Sequence, residues 1–301
     1  MGILCIGQSA YDITFPLEEA LQANRKYRIT SHQSCGGGPA FNAACLCTQW
    51  GAETQLLSKI GTDFYGQALR SILQQLGVGC DHLVVDAQVQ TPYSFIAYNR
   101  QTAERTIFNF PSPPVSVSPV IPTQSVDVIL SDGHEPDWTL QALRDNPDAV
   151  SVVDAGTLRE STYAVCQKVD YLVCSEDFAR QFTHQDITLE DREADEAVFR
   201  QIESINQKYA VITLGERGLL YRDPAGRLTH LPSYPVQALD TSGAGDIFHG
   251  AFTYGLFCGL SLLDNLKQSS MAAAISVQRL GSQASIPTRA EVEDQLSRVQ
   301  S

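Results

Sequence analysis

The most informative stretch of this sequence is Asp240-Thr241-Ser242-Gly243-Ala244-Gly245-Asp246, which is followed directly by the apolar segment Ile247–Leu256. Gly243 and Gly245 lack a Cβ, and Ala244 extends little beyond its own, so backbone N–H groups there can converge on an anion without obstruction. The positive end of the following helix adds to that field. The stretch therefore predicts an anion-binding cup at the start of a helix.

Asp246 would lie in the first turn of this helix, beside the cup. A carboxylate is a poor group for holding an anion because like charges repel, but it can take a proton from a hydroxyl that lies beside a phosphate. Together the cup and the acid indicate phosphoryl transfer to an alcohol. The alternative is an ordinary loop before a helix whose first turn carries an acid, which is common in α/β proteins.

A second glycine cluster, Cys35-Gly36-Gly37-Gly38, precedes Pro39 and an apolar helical run that continues to Trp50. Proline is suited to the first turn of a helix. Asn42 would project from that helix near its start, where an amide can donate to and accept from neighbouring sugar hydroxyls. We therefore expect Gly37, Gly38 and Asn42 to bind a polyol; the alternative is a plain strand-to-helix turn with a solvated Asn42.

With both clusters considered, the sequence resembles the ribokinase family, the PfkB carbohydrate kinases. The family's G-G-x-x-x-N element corresponds to residues 37–42, and its D-T-x-G-A-G-D signature corresponds to residues 240–246. Further matches follow the family's order over nearly the whole chain, at residues 7–12, 61–66, 213–218 and 281–287. The resemblance implies an ATP-dependent sugar kinase in which Asp246 is the general base. Gly243, Ala244 and Gly245 would then supply backbone N–H groups that neutralise charge on the transferring phosphoryl group.

The resemblance implies further ligand contacts. Asp12 and Asn109 would contact the sugar. The nucleotide would be contacted by residues that follow two strands and by one residue of a late helix: Ser175, Thr213, Leu214, Gly215, Gly218 and Ser270. A monovalent cation, K⁺, would lie beside the anion cup at Asp240, Ser242, Gly281 and Ser285.

One departure from the family pattern concerns magnesium. Relatives often carry N-x-x-E after the strand equivalent to Tyr171–Cys174, whereas this chain has Ser175-Glu176-Asp177-Phe178. Mg²⁺ is still expected with ATP, because the phosphates need charge screening and the ion commonly keeps most of its waters. Glu176 or Asp177 could replace the usual acid in the outer shell.

Short apolar runs alternate with helical patterns over most of the chain. Buried strands are predicted at Ile3–Ile6, Thr54–Ile60, Val126–Leu130, Val150–Val153, Tyr171–Cys174 and Ala210–Thr213. This alternation predicts an α/β fold with a mostly parallel sheet and helices on both faces. We expect a single ribokinase-like domain over residues 1–301, with ligands at the carboxyl ends of the strands.

Two segments, about 12–34 and 92–110, show strand patterns without intervening helices, at Tyr27–Thr30, Tyr93–Tyr98 and Arg105–Phe108. Family resemblance supports a small β-sheet lid over the sugar, which would exclude water from the reaction. Each segment is too small to form a stable sheet alone. We therefore expect the exposed lid faces to pair between the two subunits of a homodimer.

Composition excludes several other classes of protein. A formal charge of −13 over 301 residues argues against nonspecific binding of nucleic acid. No apolar run approaches membrane-spanning length, and no basic stretch precedes the first apolar strand as in a signal peptide, so we expect a cytoplasmic protein without a membrane partner. The eight cysteines and six histidines indicate neither a disulfide framework nor a metal-ligand pattern.

The resemblance favours a fructose-like ketose or ribose as the acceptor. A nucleoside kinase of the same family is the nearest alternative, and a large apolar or aromatic pocket in the lid region would favour it. A non-catalytic sensor of sugar or nucleotide is a third interpretation. Loss of Asp246 or of its cup would favour that interpretation, but both are intact.

Overall fold

The computed structural model describes residues 2–101, 105–113, 115–121 and 126–300, in which strands and helices alternate along most of the chain. The strands are β1 (Ile3–Ile6), β2 (Ala10–Leu17), β3 (Gln33–Gly37), β4 (Thr54–Leu57), β5 (Lys59–Ile60), β6 (Val84–Val85), β7 (Tyr93–Asn99), β8 (Arg105–Phe110), β9 (Val128–Ser131), β10 (Val150–Ala155), β11 (Tyr171–Ser175), β12 (Tyr209–Thr213), β13 (Leu219–Arg222) and β14 (Leu228–Leu231). The helices are α1 (Pro39–Gln49), α2 (Phe64–Leu76), α3 (Pro136–Asp145), α4 (Glu160–Cys166), α5 (Glu176–Thr183), α6 (Arg192–Asn206), α7 (Ala244–Phe257), α8 (Leu262–Ser276) and α9 (Arg289–Gln300). Short 3₁₀ turns occupy Gly215–Arg217 and Gln283–Ser285.

The central sheet has eight strands in the order β14-β13-β12-β11-β10-β9-β1-β4. Neighbours from β12 to β4 are parallel, and β13 and β14 continue the sheet antiparallel at one edge. The predicted α/β fold with a mostly parallel sheet is confirmed. Parallel order brings the carboxyl ends of β10, β11 and β12 to one edge of the sheet, where ligands of such sheets bind.

Side chains of the parallel strands alternate between two layers of helices. Val152 and Val173 belong to a core that also contains buried residues of α1, α7 and α8. The adjacent Val153 and Leu172 face the other way, into a core shared with α4, α5 and α6. Both faces of the sheet are therefore covered, which explains why its strands read as uninterrupted apolar runs.

A second sheet has the strand order β3-β2-β7-β8, and it forms from the two segments that lack helices. β2 is antiparallel to β3 and parallel to β7, which is antiparallel to β8. The strand predicted at Tyr27–Thr30 is wrong, because these residues lie in the connection from β2 to β3 and pair with no strand. The Tyr27 hydroxyl instead donates to Ala20 O and accepts from Gln22 N within the same connection.

Two other strand predictions differ in their bounds. The predicted strand Thr54–Ile60 is two strands, because β4 forms the edge of the central sheet while β5 pairs with β6 in a separate two-stranded sheet. The chain turns between them at Ser58, whose backbone O accepts from Val84 N. The predicted strand Val126–Leu130 is shifted and begins at Val128 in β9. No helix within the described ranges is both long and apolar enough to cross a bilayer.

Candidate active site

The residues predicted to form an anion cup lie in the loop that leads into α7. Gly243 precedes the helix with φ +73°, and a Cβ there would lie 2.6 Å from Ser282 Cβ, so both backbone conformation and space require glycine. At Gly245 the same construction meets open space. No side chain of the described residues caps the start of α7, whose first-turn N–H groups have no partners within the helix. This geometry fits an anionic group such as the terminal phosphates of ATP.

Asp246 accepts a hydrogen bond of 2.6 Å from Asn42 Nδ2, which joins the first turns of α7 and α1. Asn42 is fully buried, so the solvated alternative considered from the sequence is wrong. Its Oδ1 has no hydrogen-bond partner among the described atoms. Asn42 therefore orients the carboxylate of Asp246, and it retains an acceptor of its own.

The environment of Asp246 raises the pKa of its carboxyl to about 7. Desolvation is the largest cause and the nearby charge of Asp154 the next, while the hydrogen bond from Asn42 and the proximity of His249 act in the opposite direction. Asp246 is nevertheless half-buried rather than fully buried, so part of the residue remains accessible to solvent. A pKa near neutrality suits a general base.

A polar row crosses the small sheet on the side of the cup. Asp12 of β2, Ser94 of β7 and Asn109 of β8 are register partners, so their side chains share one face. Asp12 accepts a long hydrogen bond of 3.5 Å from Ser282 Oγ. A Cβ on Gly37 would lie 2.1 Å from Asp12 Oδ2, so only glycine leaves room for this carboxylate. Burial raises the pKa of Asp12 to about 6, although hydrogen bonds from Ser94 and Ser282 oppose the shift.

Arg105 joins the small sheet to the cup, and the sequence analysis assigned it no role. Its Nη1 donates to Ser242 Oγ at 3.0 Å and lies 3.9 Å from Asp240 Oδ1. The sequence showed Arg105 only as the start of a strand pattern, and nothing there indicated a contact with a loop more than a hundred residues later. The guanidinium group of Arg105 therefore connects the small sheet to the loop before α7.

The four residues predicted to surround a monovalent cation lie in two adjoining loops. Asp240 connects them, because Oδ1 accepts from Ser242 N and Oδ2 accepts from Gly281 N, both at 2.9 Å. Ser285 is buried, and its Oγ donates to Ser282 O at 2.8 Å. Within the described ranges, no group of three or more His, Cys, Asp or Glu side chains could hold a metal ion. A cation here would therefore depend mainly on carbonyl and hydroxyl oxygens.

Most of the predicted nucleotide contacts lie at the carboxyl ends of β11 and β12, where Ser175 and Thr213 are register partners. After Thr213 the chain makes a tight turn, in which Leu214 N donates to Gly218 O and Gly218 N donates to Gly215 O. Ser270 is different: it is half-buried in the middle of α8, and no described hydrogen bond joins it to the other five residues.

The segment after β11 holds its polar groups in protein contacts. Ser175 Oγ accepts from Phe178 N and donates to Gly156 O, so it caps α5. Glu176 forms an ion pair with Arg217, and Asp177 forms one with Arg180. Phe178 is fully buried in the core, which explains why an apolar side chain stands where relatives often carry Glu.

Asp132, which the sequence analysis did not assign, joins the chain after β1 to the start of α1. Its buried carboxylate follows β9 and accepts from Gln8 N at 2.8 Å and from Ala40 N at 3.2 Å. Burial alone would raise the pKa of Asp132, but the charge of His134 and the hydrogen bonds lower it below its usual range. Asp132 thereby fixes the chain after β1 against the start of α1. The available signal was an acid two residues after the predicted strand Val126–Leu130.

A buried pair, Asp154 and His249, lies behind Asp246 and was also missed as a site feature. Asp154 Oδ2 lies 3.2 Å from His249 Nδ1, at the carboxyl end of β10. The imidazole also contacts Gly245 O and Val173 O. The signals in the sequence were an acid immediately after the predicted strand Val150–Val153 and a histidine one turn after Asp246.

Several known proteins are similar to this chain over nearly its whole length. The family model described as pfkB family carbohydrate kinase matches residues 2–289. The ribokinase of Bacillus subtilis is 27% identical over 306 residues, which cover 98% of this chain and 99% of the relative. Among solved structures, a putative ribokinase from Agrobacterium tumefaciens superposes with a TM-score of 0.86 at 21% identity, covering 99% of this chain and 98% of the other. The ribokinase of Arabidopsis thaliana, complexed with ribose and ATP, gives 0.80 at 19% identity and covers 98% of each chain.

Proposed function

Because this chain belongs to the pfkB family of carbohydrate kinases, we propose that it transfers the γ-phosphoryl group of ATP to a hydroxyl of ribose or a fructose-like ketose. The observation that carries the proposal is the contact between Asn42 and Asp246 beside an uncapped helix start. A partly exposed carboxylate and an anion cup share one helix turn, which is the arrangement that phosphoryl transfer to an alcohol requires.

In this mechanism the Asp246 carboxylate removes the proton of the acceptor hydroxyl as that oxygen attacks the phosphoryl group. Backbone N–H groups at residues 243–246 stabilise the negative charge that develops on the phosphoryl oxygens. Asp12, Asn109 and the main chain at Gly37 and Gly38 hold other hydroxyls of the acceptor. Arg105 lies beside the cup and adds positive charge when the small sheet covers the acceptor.

The nucleotide would contact the turn from Thr213 to Gly218, together with Ser175 and Ser270. Mg²⁺ would arrive with ATP and supply charge screening for its phosphates. Glu176 or Asp177 could meet its waters only by exchanging their present arginine partners. K⁺ would bind beside Asp240, where the two loops meet, and stabilise the cup.

The small sheet would serve both as the lid and as the contact between subunits of a homodimer. Its outer face carries Tyr93, Phe108 and Phe110, which lie opposite in direction to the polar row of Asp12. Phe108 is 47% exposed and Phe110 is 41% exposed. Association of two such faces would remove these aromatic surfaces from water. The kinase would otherwise act as one domain over the whole chain.

The aromatic residues of the lid bear on the nucleoside alternative. Tyr11, Tyr65, Tyr93 and Phe110 stack in a row, with ring centroids 4.5–5.2 Å apart from one neighbour to the next. However, Tyr11 and Tyr93 are register partners on the outer face, whereas Asp12 points to the other face. Tyr65 belongs to α2 and stacks between Tyr11 and Tyr93, so these rings pack against the main domain on the side away from Asp12. The row therefore does not line a nucleobase pocket beside the acceptor, which favours a small sugar.

Measurement of acceptor-dependent ADP release tests the proposal. The panel contains ribose, fructose and other small sugars together with purine and pyrimidine nucleosides, each with Mg²⁺ and ATP. We expect turnover with one sugar class and little with nucleosides. Faster ADP release with a nucleoside than with any sugar would show that the protein is a nucleoside kinase instead. If calorimetry detects binding of a sugar but no acceptor in the panel supports ADP release, the protein would instead be a sensor.

A further inference from the structure

His249 lies one helical turn after Asp246, on the side of α7 that faces the central sheet. It is only 3% exposed, and Asp154 beside it is 7% exposed. His249 Nδ1 lies 2.6 Å from Gly245 O and 3.2 Å from Asp154 Oδ2, and Nε2 lies 3.2 Å from Val173 O. The mechanism proposed for phosphoryl transfer does not use His249 or Asp154.

These contacts determine where the protons of the imidazole lie. A carbonyl oxygen can only accept, so the short approach of Gly245 O requires a proton on Nδ1. Protonation of Asp154 does not remove this requirement. If Nδ1 carried no proton, its lone pair would still face Gly245 O at 2.6 Å, whatever the state of Asp154. A neutral ring with its proton on Nδ1 would then direct the lone pair of Nε2 at Val173 O. Only a ring with protons on both nitrogens satisfies both carbonyls.

The charges around this pair favour a cation. Acidic groups dominate the interior near Asp246, and a single buried positive charge next to Asp154 would offset part of their repulsion. The charged groups that act on Asp154 from the packed elements are Asp132 and His134 after β9 and Arg159 before α4, and Asp246 on α7 interacts with both members of the pair. Burial raises the pKa of Asp154, and His249, the basic side chain that touches it directly, opposes this shift.

We propose that His249 is an imidazolium ion fixed by Gly245, Asp154 and Val173, and that its positive charge positions Asp246 and offsets the charge of Asp154, which disfavours the carboxylate form of Asp246. His249 is thus a positioning residue: it acts through Gly245 and Asp154 and does not touch the acceptor. The kinetic part of this inference rests on the proposed function. The protonation of His249 does not depend on it.

The first measurement is a ¹H–¹⁵N long-range correlation spectrum of protein labelled at histidine nitrogen, at pH 7.5. His249→Gln identifies the resonances by their disappearance. We expect both ring nitrogens of His249 at imidazolium shifts, with two bound protons. One protonated nitrogen and one pyridine-like nitrogen would overturn the inference, whether or not the protein proves to be a kinase.

The second measurement is the pH profile of kcat/KM for single variants. In His249→Gln the Asp154 charge loses its counterion, so the acid limb should move to higher pH by about one unit or more. In Asp154→Asn a charge that disfavours ionised Asp246 is removed, so the limb should move to lower pH. His82→Gln, which replaces a half-buried histidine bound to Val120 O, serves as the matched control and should leave the limb in place.

A purely structural role would lower kcat without moving the limb, and limbs that do not shift in opposite directions would overturn the inference. Thermal denaturation of each variant separates such effects from loss of fold. If the wild-type protein phosphorylates no acceptor, the proposed function fails while the spectrum still decides the state of His249. If it is an active kinase with a neutral His249, only the inference fails.

Discussion

Replacement of Asp246 by Asn is the sharpest perturbation of the proposed mechanism, because it removes the base and keeps its shape. The amide oxygen of Asn can accept the 2.6 Å hydrogen bond that Asn42 Nδ2 now donates to the carboxylate. The cup itself consists of backbone N–H groups and stays in place. Loss of a general base costs about 10²–10⁴ in rate, or about 3–5 kcal/mol of transition-state stabilisation. We expect kcat to fall by that factor while ATP affinity stays near that of the wild type.

Stability distinguishes this result from misfolding. The pKa of Asp246 is about 7 in the folded protein and lies above that of an aspartate in an unfolded chain. As the pH rises from about 4 to about 7, the unfolded state therefore loses its proton first and the folded state becomes less stable. Asn does not ionise, so the variant does not lose stability in this way as the pH rises. Asp246→Asn should therefore melt at the same temperature as the wild type near pH 4, and at pH 8 it should melt no lower than the wild type.

The assay follows ADP release under saturating acceptor, with melting temperatures measured on the same samples. The wild-type kcat/KM should also decline below about pH 7, where Asp246 becomes protonated. A variant with wild-type turnover would refute the assignment of Asp246 as the base. A variant that melts well below the wild type at pH 8 would refute the account of its electrostatics.

Three further predictions concern the lid and the loops around the cup. Arg105→Gln removes the charge that reaches Ser242 and should lower kcat/KM about tenfold. Arg100→Gln, whose side chain forms an exposed pair with Glu18 in the described part of the chain, should have little effect. Equal losses of kcat/KM in the two variants would indicate a general lid defect. Turnover should be higher in K⁺ than in tetramethylammonium at matched ionic strength, and equal rates would argue against a functional cation site at Asp240. Sedimentation should show a dimer at micromolar concentration, and Phe108→Asp should dissociate it, since Phe108 is 47% exposed on the outer face. A wild-type monomer would refute the dimer. Unchanged hydrogen exchange of the lid strands on sugar binding would refute the lid.

Local patterns in the sequence were sufficient to predict the helix start beside Asp246 and the parallel strands of the central sheet, but not its antiparallel edge strands β13 and β14. The step from Gly243 to Asp246 places glycine, helix start and carboxylate within a few residues, so neighbours in sequence are neighbours in space. The parallel strands were recognisable because burial on both faces makes them continuously apolar. The strand predicted at Tyr27–Thr30 failed because an alternating pattern does not show whether a strand edge is available to pair with.

Contacts between distant segments were not predictable in the same way. Arg105 meets Ser242 across 137 positions, and His249 meets Val173 across 76. Each depends on which strands become neighbours and on the side of the sheet to which a residue points. The role of Asn42 was also incomplete from the sequence, because its hydrogen bond to Asp246 joins two helices that are far apart in the chain.

The most direct test of the central claim is to follow the γ-phosphoryl group itself by ³¹P NMR. The wild-type protein and Asp246→Asn are incubated with Mg²⁺, ATP and the acceptor that best supports ADP release. The account predicts a new phosphomonoester resonance that grows in proportion to ADP with the wild type and is almost absent with the variant. Inorganic phosphate formed at the same rate with and without acceptor, or equal phosphomonoester formation by the two proteins, would contradict it.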